Sequence, residues 1–137
     1  MKRFLLDTNV LSEILKPRPA SEVLDFFARV PESALHVSIL SLGEFRKGVV
    51  LRRRSDVTGS EYLLRWTEEM ESRFNDRILP ITRETAKLWG EWSAQRSRSV
   101  VVTLIAATAA VHDMVLVTRN IRDVQDLQVK ILNPWKI

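Results

Sequence analysis

Three acidic residues stand at positions where carboxylates do chemistry. Asp7 closes the apolar run Phe4-Leu5-Leu6, Glu44 follows the short stretch from Leu35 to Ser38, and Asp123 follows Val115-Leu116-Val117 by way of Thr118-Arg119-Asn120. Carboxylates gathered in one place repel each other and are costly to keep ionised unless a cation joins them. Hard oxygen donors of this kind suit Mg²⁺ or Mn²⁺. A site so built suits phosphodiester hydrolysis, because the ion activates water and neutralises charge developing on phosphate oxygens. Each acid also has a plainer reading. Asp7 can be a helix N-cap. Ser41-Leu42-Gly43-Glu44 fits the S-x-x-E capping box, in which Glu44 folds back on its own helix. Asp123 can be an ordinary loop acid. His36 and His112 read as surface or capping residues, since a chain without cysteine has no standard zinc site for them to complete.

The elements that would bring these acids together follow from the apolar pattern. Short buried runs at 4–6, 35–38, 115–117 and 129–132 read as strands, with a strand-like link at 77–79. Helical patterns cover 10–15, 21–29, 41–53, 60–74 and 82–95, and the stretch 99–112 reads as a buried helix. That stretch carries no ionisable group before His112, and it is shorter than the ~20 residues a membrane span needs. Strands alternating with helices predict a parallel sheet covered on both faces, and such sheets place their sites outside the carboxyl ends of the strands. Asp7, Glu44 and Asp123 all fall there.

Composition narrows the function classes. The 137 residues suit one α/β domain over 1–137, and the absence of cysteine removes disulfide frameworks and thiolate metal sites. The start MKRFLLDTNV is broken by Asp7 and does not read as a signal peptide, which predicts a cytoplasmic protein. A net charge of +4 permits a polyanionic partner without requiring one. Arg52-Arg53-Arg54 fits a solvated helix end favoured by the helix dipole, or a phosphate contact. Trp89 and Trp92, three apart, fit a core or a subunit contact.

Five segments together resemble a known family. They are Leu6-Asp7-Thr8-Asn9-Val10-Leu11-Ser12-Glu13, Ser38-Ile39-Leu40-Ser41-Leu42-Gly43-Glu44, Leu104-Ile105-Ala106-Ala107-Thr108-Ala109, Leu116-Val117-Thr118-Arg119-Asn120 and Leu132-Asn133-Pro134-Trp135. In this order they are similar to PIN-domain ribonuclease toxins of the VapC type, FitB-like subgroup. The resemblance implies a three-layer α/β/α fold with a central parallel sheet and Mg²⁺- or Mn²⁺-dependent endoribonuclease activity. It also implies a homodimer and a cognate antitoxin that blocks the site and carries the complex to operator DNA. By position, Asp7, Glu44 and Asp123 match the family's catalytic, metal-binding acids, with Thr8, Asn9, Ser38, Thr118 and Asn120 beside them. Arg46, Lys47, Arg52, Arg53, Arg54 and Arg119 are the implied contacts to the RNA backbone.

One position departs from the pattern. Where the family implies Asp-x-Leu-Ile-Ala-Ala-Thr-Ala, this chain has Val102, and no Asp or Glu occurs from Trp92 to His112. The resemblance thus implies three acids where four are expected. Two functions fit: a toxin weakened or silenced at Val102, or a binding module that acts only as the antitoxin's dimeric partner in a repressor complex.

Overall fold

Strand alternation and helix patterning assemble three layers. The computed structural model describes residues 2–136. Five strands, β1 (Phe4–Leu6), β2 (Leu35–Ser38), β3 (Ile78–Leu79), β4 (Val115–Val117) and β5 (Ile131–Leu132), form one sheet in the order β3-β2-β1-β4-β5. Every pairing is parallel. The central strands β1 and β4 are buried throughout, which is why they read as unbroken apolar runs rather than as alternating ones.

Among the described residues seven helices surround the sheet: α1 (Thr8–Leu15), α2 (Ser21–Arg29), α3 (Ile39–Arg53), α4 (Val57–Arg73), α5 (Arg83–Gln95), α6 (Val100–Val111) and α7 (Ile121–Val124). The period of two along β1 and β4 splits the core. Phe4, Leu6, Val115 and Val117 pack with Val10, Leu11, Val23, Phe26, Phe45 and Met70 from α1 to α4. Leu5 and Leu116 face the other way, onto Trp92, Ile105, Ala106, Ala107, Ala109 and Val124 from α5 to α7. The long apolar stretch is therefore α6, a helix lying in the second core. Its two threonines return their hydroxyls to the helix itself, Thr103 to Ser99 O at 2.6 Å and Thr108 to Leu104 O at 2.8 Å. Among the described residues no helix is long and apolar enough to cross a membrane.

Register positions the site. Leu6 is level with Val37 on one side and Val117 on the other, so the next residues, Asp7, Ser38 and Thr118, form a row at the carboxyl edge. Asp7 caps α1 and Ser38 caps α3. These caps explain why both helices begin two residues earlier than the apolar pattern predicts, at Thr8 and Ile39. Asp56 does the same for α4, taking the Gly59 N–H at 2.9 Å and starting the helix at Val57 rather than 60. The last strand is shorter than predicted, because Val129 N–H turns back to Leu127 O at 2.9 Å and leaves only Ile131 and Leu132 to pair. The one-turn helix α7 and the 3₁₀ turns Glu32–Ala34 and Asn75–Arg77 carry no apolar period long enough to predict them.

Candidate metal-binding acidic site

Asp7 is the anchor of the site and is almost fully buried, at 5% exposure. Its Oδ1 accepts the Thr8 N–H at 2.7 Å and its Oδ2 accepts the Thr118 hydroxyl at 2.7 Å. Asn9 Nδ2 lies 3.4 Å from both Asp7 Oδ2 and Thr118 Oγ1. The Thr118 oxygen also accepts the Asn120 N–H at 3.0 Å, and Asn9 Oδ1 accepts the Arg119 N–H at 3.4 Å. The carboxylate is thereby locked to both β1 and the loop after β4. Burial pushes the Asp7 carboxyl above its ordinary range; the bonds from Thr118 and Thr8 pull against that, and the charge of Glu44 adds to the rise.

Glu44 reaches the site from α3. The Thr8 hydroxyl donates to Glu44 Oε1 at 2.5 Å, and Thr8 Oγ1 lies 2.7 Å from Ser41 Oγ. The capping-box reading of Ser41 and Glu44 is corrected here. The cap is Ser38, whose Oγ accepts the Leu40 N–H at 3.0 Å; Ser41 is buried inside the helix, and Glu44 turns toward Thr8. A cap one position ahead of the helix start leaves Glu44 beyond the first turn, too far along to close a box.

Asp123 does not join them. It sits exposed on α7, and among the described residues no three His, Asp or Glu side chains come close enough to hold one ion. The expectation that Asp7, Glu44 and Asp123 stand together is therefore met by the first two only. The physical reason lies in the backbone: Asp123 is carried exposed on the one-turn helix α7, whose Asp123 carbonyl accepts from Arg96 at 3.4 Å.

Two arginines tie α7 to the segment leading into α6. Arg96 and Arg98 both bind Asp126, at 3.1 and 2.8 Å, and hold its carboxyl well below the usual range, Arg98 more strongly. Arg98 is buried at 2% side-chain exposure and also donates from Nε to Trp92 O at 2.9 Å. Arg98→Ala strands that carbonyl and opens the junction, so we expect a loss of about 1–3 kcal/mol in urea unfolding.

Val102 lies in the first turn of α6, partly buried against the second core. An apolar side chain occupies the position where the resemblance implies a carboxylate. Of the basic candidates, Arg46, Lys47, Arg52, Arg53 and Arg54 are exposed along α3 and at its end. Arg119 lies apart, its guanidinium 4.7 Å above the Trp135 ring. Neither histidine approaches the acids through any hydrogen bond; His36 Nδ1 lies 3.2 Å from Ala34 O, and burial lowers its pKa. Sequence reasoning passed over Glu13, buried at 5% exposure, which accepts the Ala20 N–H and the Lys16 ammonium, each at 2.9 Å. It fixes the turn after α1, and the signal for it was an acid on a helix face otherwise apolar.

A parallel sheet whose central strand ends in a buried aspartate, with a glutamate delivered by the helix after the next strand, matches the PIN domain model over residues 4–127. The chain belongs to the PIN domain family. It is similar over nearly its whole length to the toxin FitB of Neisseria gonorrhoeae, with 27% identity over 139 residues, 96% of this chain and 97% of the relative. It is equally similar to the VapC ribonuclease Y4jK of Sinorhizobium fredii, at 28% identity covering 96% and 97%. The solved structure of FitAB bound to an IR36 DNA fragment superposes with a TM-score of 0.87 at 28% identity, covering 98% of this chain and 96% of the other. The chain thus has the PIN-domain fold in three α/β/α layers, and the relatives it resembles along its length are a FitB toxin and a VapC ribonuclease.

Proposed function

We propose that this PIN domain is the toxin half of a toxin–antitoxin pair, a divalent-metal-dependent endoribonuclease whose cleavage is weakened by Val102. The observation that carries the proposal is the coupled pair at the carboxyl edge, a buried Asp7 with a raised pKa beside Glu44. Burying a carboxylate next to a like charge is unfavourable for a chain that only needs to fold, and a hard cation removes the penalty. The donor set therefore fits Mg²⁺ or Mn²⁺. Asp7 and Glu44 are the proposed ligands, and Asp123, exposed on α7, stands outside the pair. When bound, the cation supplies an activated water and neutralises charge on the phosphate oxygens. Thr118, Thr8 and Asn9 hold the carboxylates in orientation, while Ser38 and Asn120 order the backbone on either side. Arg46, Lys47, Arg52, Arg53 and Arg54 offer positive charge to the RNA backbone.

The same reading makes the chain one domain over 1–137, a homodimer, cytoplasmic, and bound by a cognate antitoxin that carries it to operator DNA. Val102 favours a second reading, in which the fold serves only as the antitoxin's partner and cleaves nothing. Cleavage of total RNA in Mg²⁺ and in chelator separates the two.

Glu44→Gln in the Val102→Asp protein tests the acid pair. The glutamine amide still offers an oxygen to the Thr8 hydroxyl, so unfolding should change by no more than about 1 kcal/mol, while RNA cleavage should fall to background. Cleavage at the parent rate would remove Glu44 from the site.

A further inference from the structure

A cleft of 670 Å³ is lined by Glu44 of the acid pair and by Thr8, which binds both acids. Thr8 and Glu44 form its inner end; Lys16, Arg52 and Tyr62 stand along its walls, and Gly48 leaves one wall without a side chain. Glu44, Gly48 and Arg52 recur at intervals of four along α3, so an acid, a gap and a cation share one face. From Glu44 to Arg52 the helix rises about 12 Å, a few nucleotides of strand at roughly 3.4 Å each.

The side chains along this cleft are free to receive a ligand. Tyr62 is 59% exposed, an unusual place for a large aromatic ring, and its hydroxyl has no partner among the described residues. Lys16 pairs with Glu13 at 2.9 Å and Arg52 uses Nε alone for Asp56 at 3.3 Å, with side chains 58% and 54% exposed. The Arg52–Asp56 pair is exposed on both sides and worth only ~0–1 kcal/mol, so Arg52 can turn to a phosphate at little cost, while Lys16 stays on the buried Glu13 and offers its remaining ammonium hydrogens. A Cβ added at Gly48 would meet Leu63 Cδ2 at 3.7 Å, an ordinary van der Waals contact with a side chain and not a tight backbone approach. An exposed aromatic ring, two cations and an acid lining one cleft are the side-chain types that bind single-stranded nucleic acid by stacking and charge.

We propose that this cleft is a nucleotide subsite for single-stranded RNA, in which Tyr62 stacks a base next to the cleaved position and Lys16 and Arg52 hold flanking phosphates. The proposal rests on the nuclease reading above and adds the residues that seat the substrate. Charge decides between occupants: two exposed cations lining the cleft suit a polyanion better than a peptide of unspecified charge.

The test is fluorescence anisotropy of a 5′-fluorescein-labelled single-stranded ribo-oligonucleotide of mixed sequence, titrated with the intact protein in Mg²⁺ at several salt concentrations. Tyr62→Ala should raise Kd about 5- to 100-fold, the loss measured for one stacked base, and Tyr62→Phe should restore binding. Lys16→Gln with Arg52→Gln should lower the salt slope by about 1.4, from two phosphate contacts at ~0.7 each. Gly48→Leu should fill the gap and weaken binding without touching a charge. All of these positions are at the surface, and thermal melts check that each variant folds. Parent affinity in Tyr62→Ala and Gly48→Leu, with weakened binding in Arg46→Gln/Lys47→Gln, overturns the subsite and leaves the nuclease reading standing. Unchanged RNA binding in Tyr62→Ala, with loss of a partner protein co-expressed from the neighbouring reading frame, assigns the cleft to protein and also overturns it. No RNA binding by any form, with no cleavage by Val102→Asp, overturns the nuclease reading itself.

Discussion

Val102→Asp should raise Mg²⁺-dependent RNA cleavage by at least about 10–100-fold, the usual scale for a lost partner of a metal site, and should lower the stability of the metal-free protein. Both effects come from the same carboxylate. Val102 lies in the first turn of α6, and Ser99, the capping residue, makes no side-chain bond to that turn. An aspartate there meets the positive end of the helix dipole, a gain of ~0.3–1 kcal/mol. Against this stand the methyl groups withdrawn from the second core and, in the proposed metal site, the repulsion from Asp7 and Glu44. Repulsion alone is on the order of 1–4 kcal/mol per close pair at the effective dielectric of a partly exposed site. Thermal melts should therefore rank the parent above Val102→Asp in chelator. Added Mg²⁺ should raise the variant more than the parent, because a ligand that binds only the folded state stabilises it by mass action. Equal cleavage by both proteins would show that position 102 is not the missing acid.

Asp7→Asn should abolish cleavage in the Val102→Asp protein and make the metal-free fold less sensitive to pH. The direction follows from the raised Asp7 pKa, which burial causes before any other influence. Between the ordinary value of 3.8 and the higher folded value, the folded protein holds a proton that the unfolded chain has released. The stability contributed by this group is thus complete below 3.8 and is lost as pH rises through the folded value. Each unit of separation costs about 1.4 kcal/mol at neutral pH. Asparagine does not ionise, so it escapes that loss. Its amide oxygen can still accept the Thr8 N–H, while the Thr118 hydroxyl must find another acceptor at a cost of ~0.5–1.5 kcal/mol. In chelator the variant should gain on the parent as pH is raised from 3 to 7 in urea unfolding. A parallel pH profile in the two proteins would mean that Asp7 is not the group whose burial is unfavourable.

Much of this architecture was legible in the chain because its strands are buried on both faces and so appear as bare apolar runs. Leu35–Ser38 and Val115–Val117 need no further signal; the first ends on Ser38 and the second leads into Thr118, the two residues level with Asp7. The helix starts were misjudged wherever a cap replaced an apolar residue as the boundary, at Asp7, Ser38 and Asp56. Glu44 was visible as a candidate, but its competing role at Ser41 could be dismissed only when the Thr8 hydroxyl was found to hold it. Asp123 shows the limit most clearly. Position after a strand predicts which edge of the sheet an acid reaches, whereas its final placement depends on α7, a one-turn helix that leaves Asp123 exposed and that no apolar period marks. Tyr62, Lys16 and Gly48 belong to three different helices or turns, and no local spacing links them to one cleft.

The central claim is that the acids at this edge hold one divalent cation, and calorimetric titration of Mn²⁺ into the parent, Val102→Asp and Asp7→Asn proteins tests it most directly. The expected result is one ion per chain, bound about 10–100-fold more tightly by Val102→Asp than by the parent and not bound by Asp7→Asn. Uptake of Mn²⁺ by Asp7→Asn with the parent's affinity and stoichiometry would contradict it.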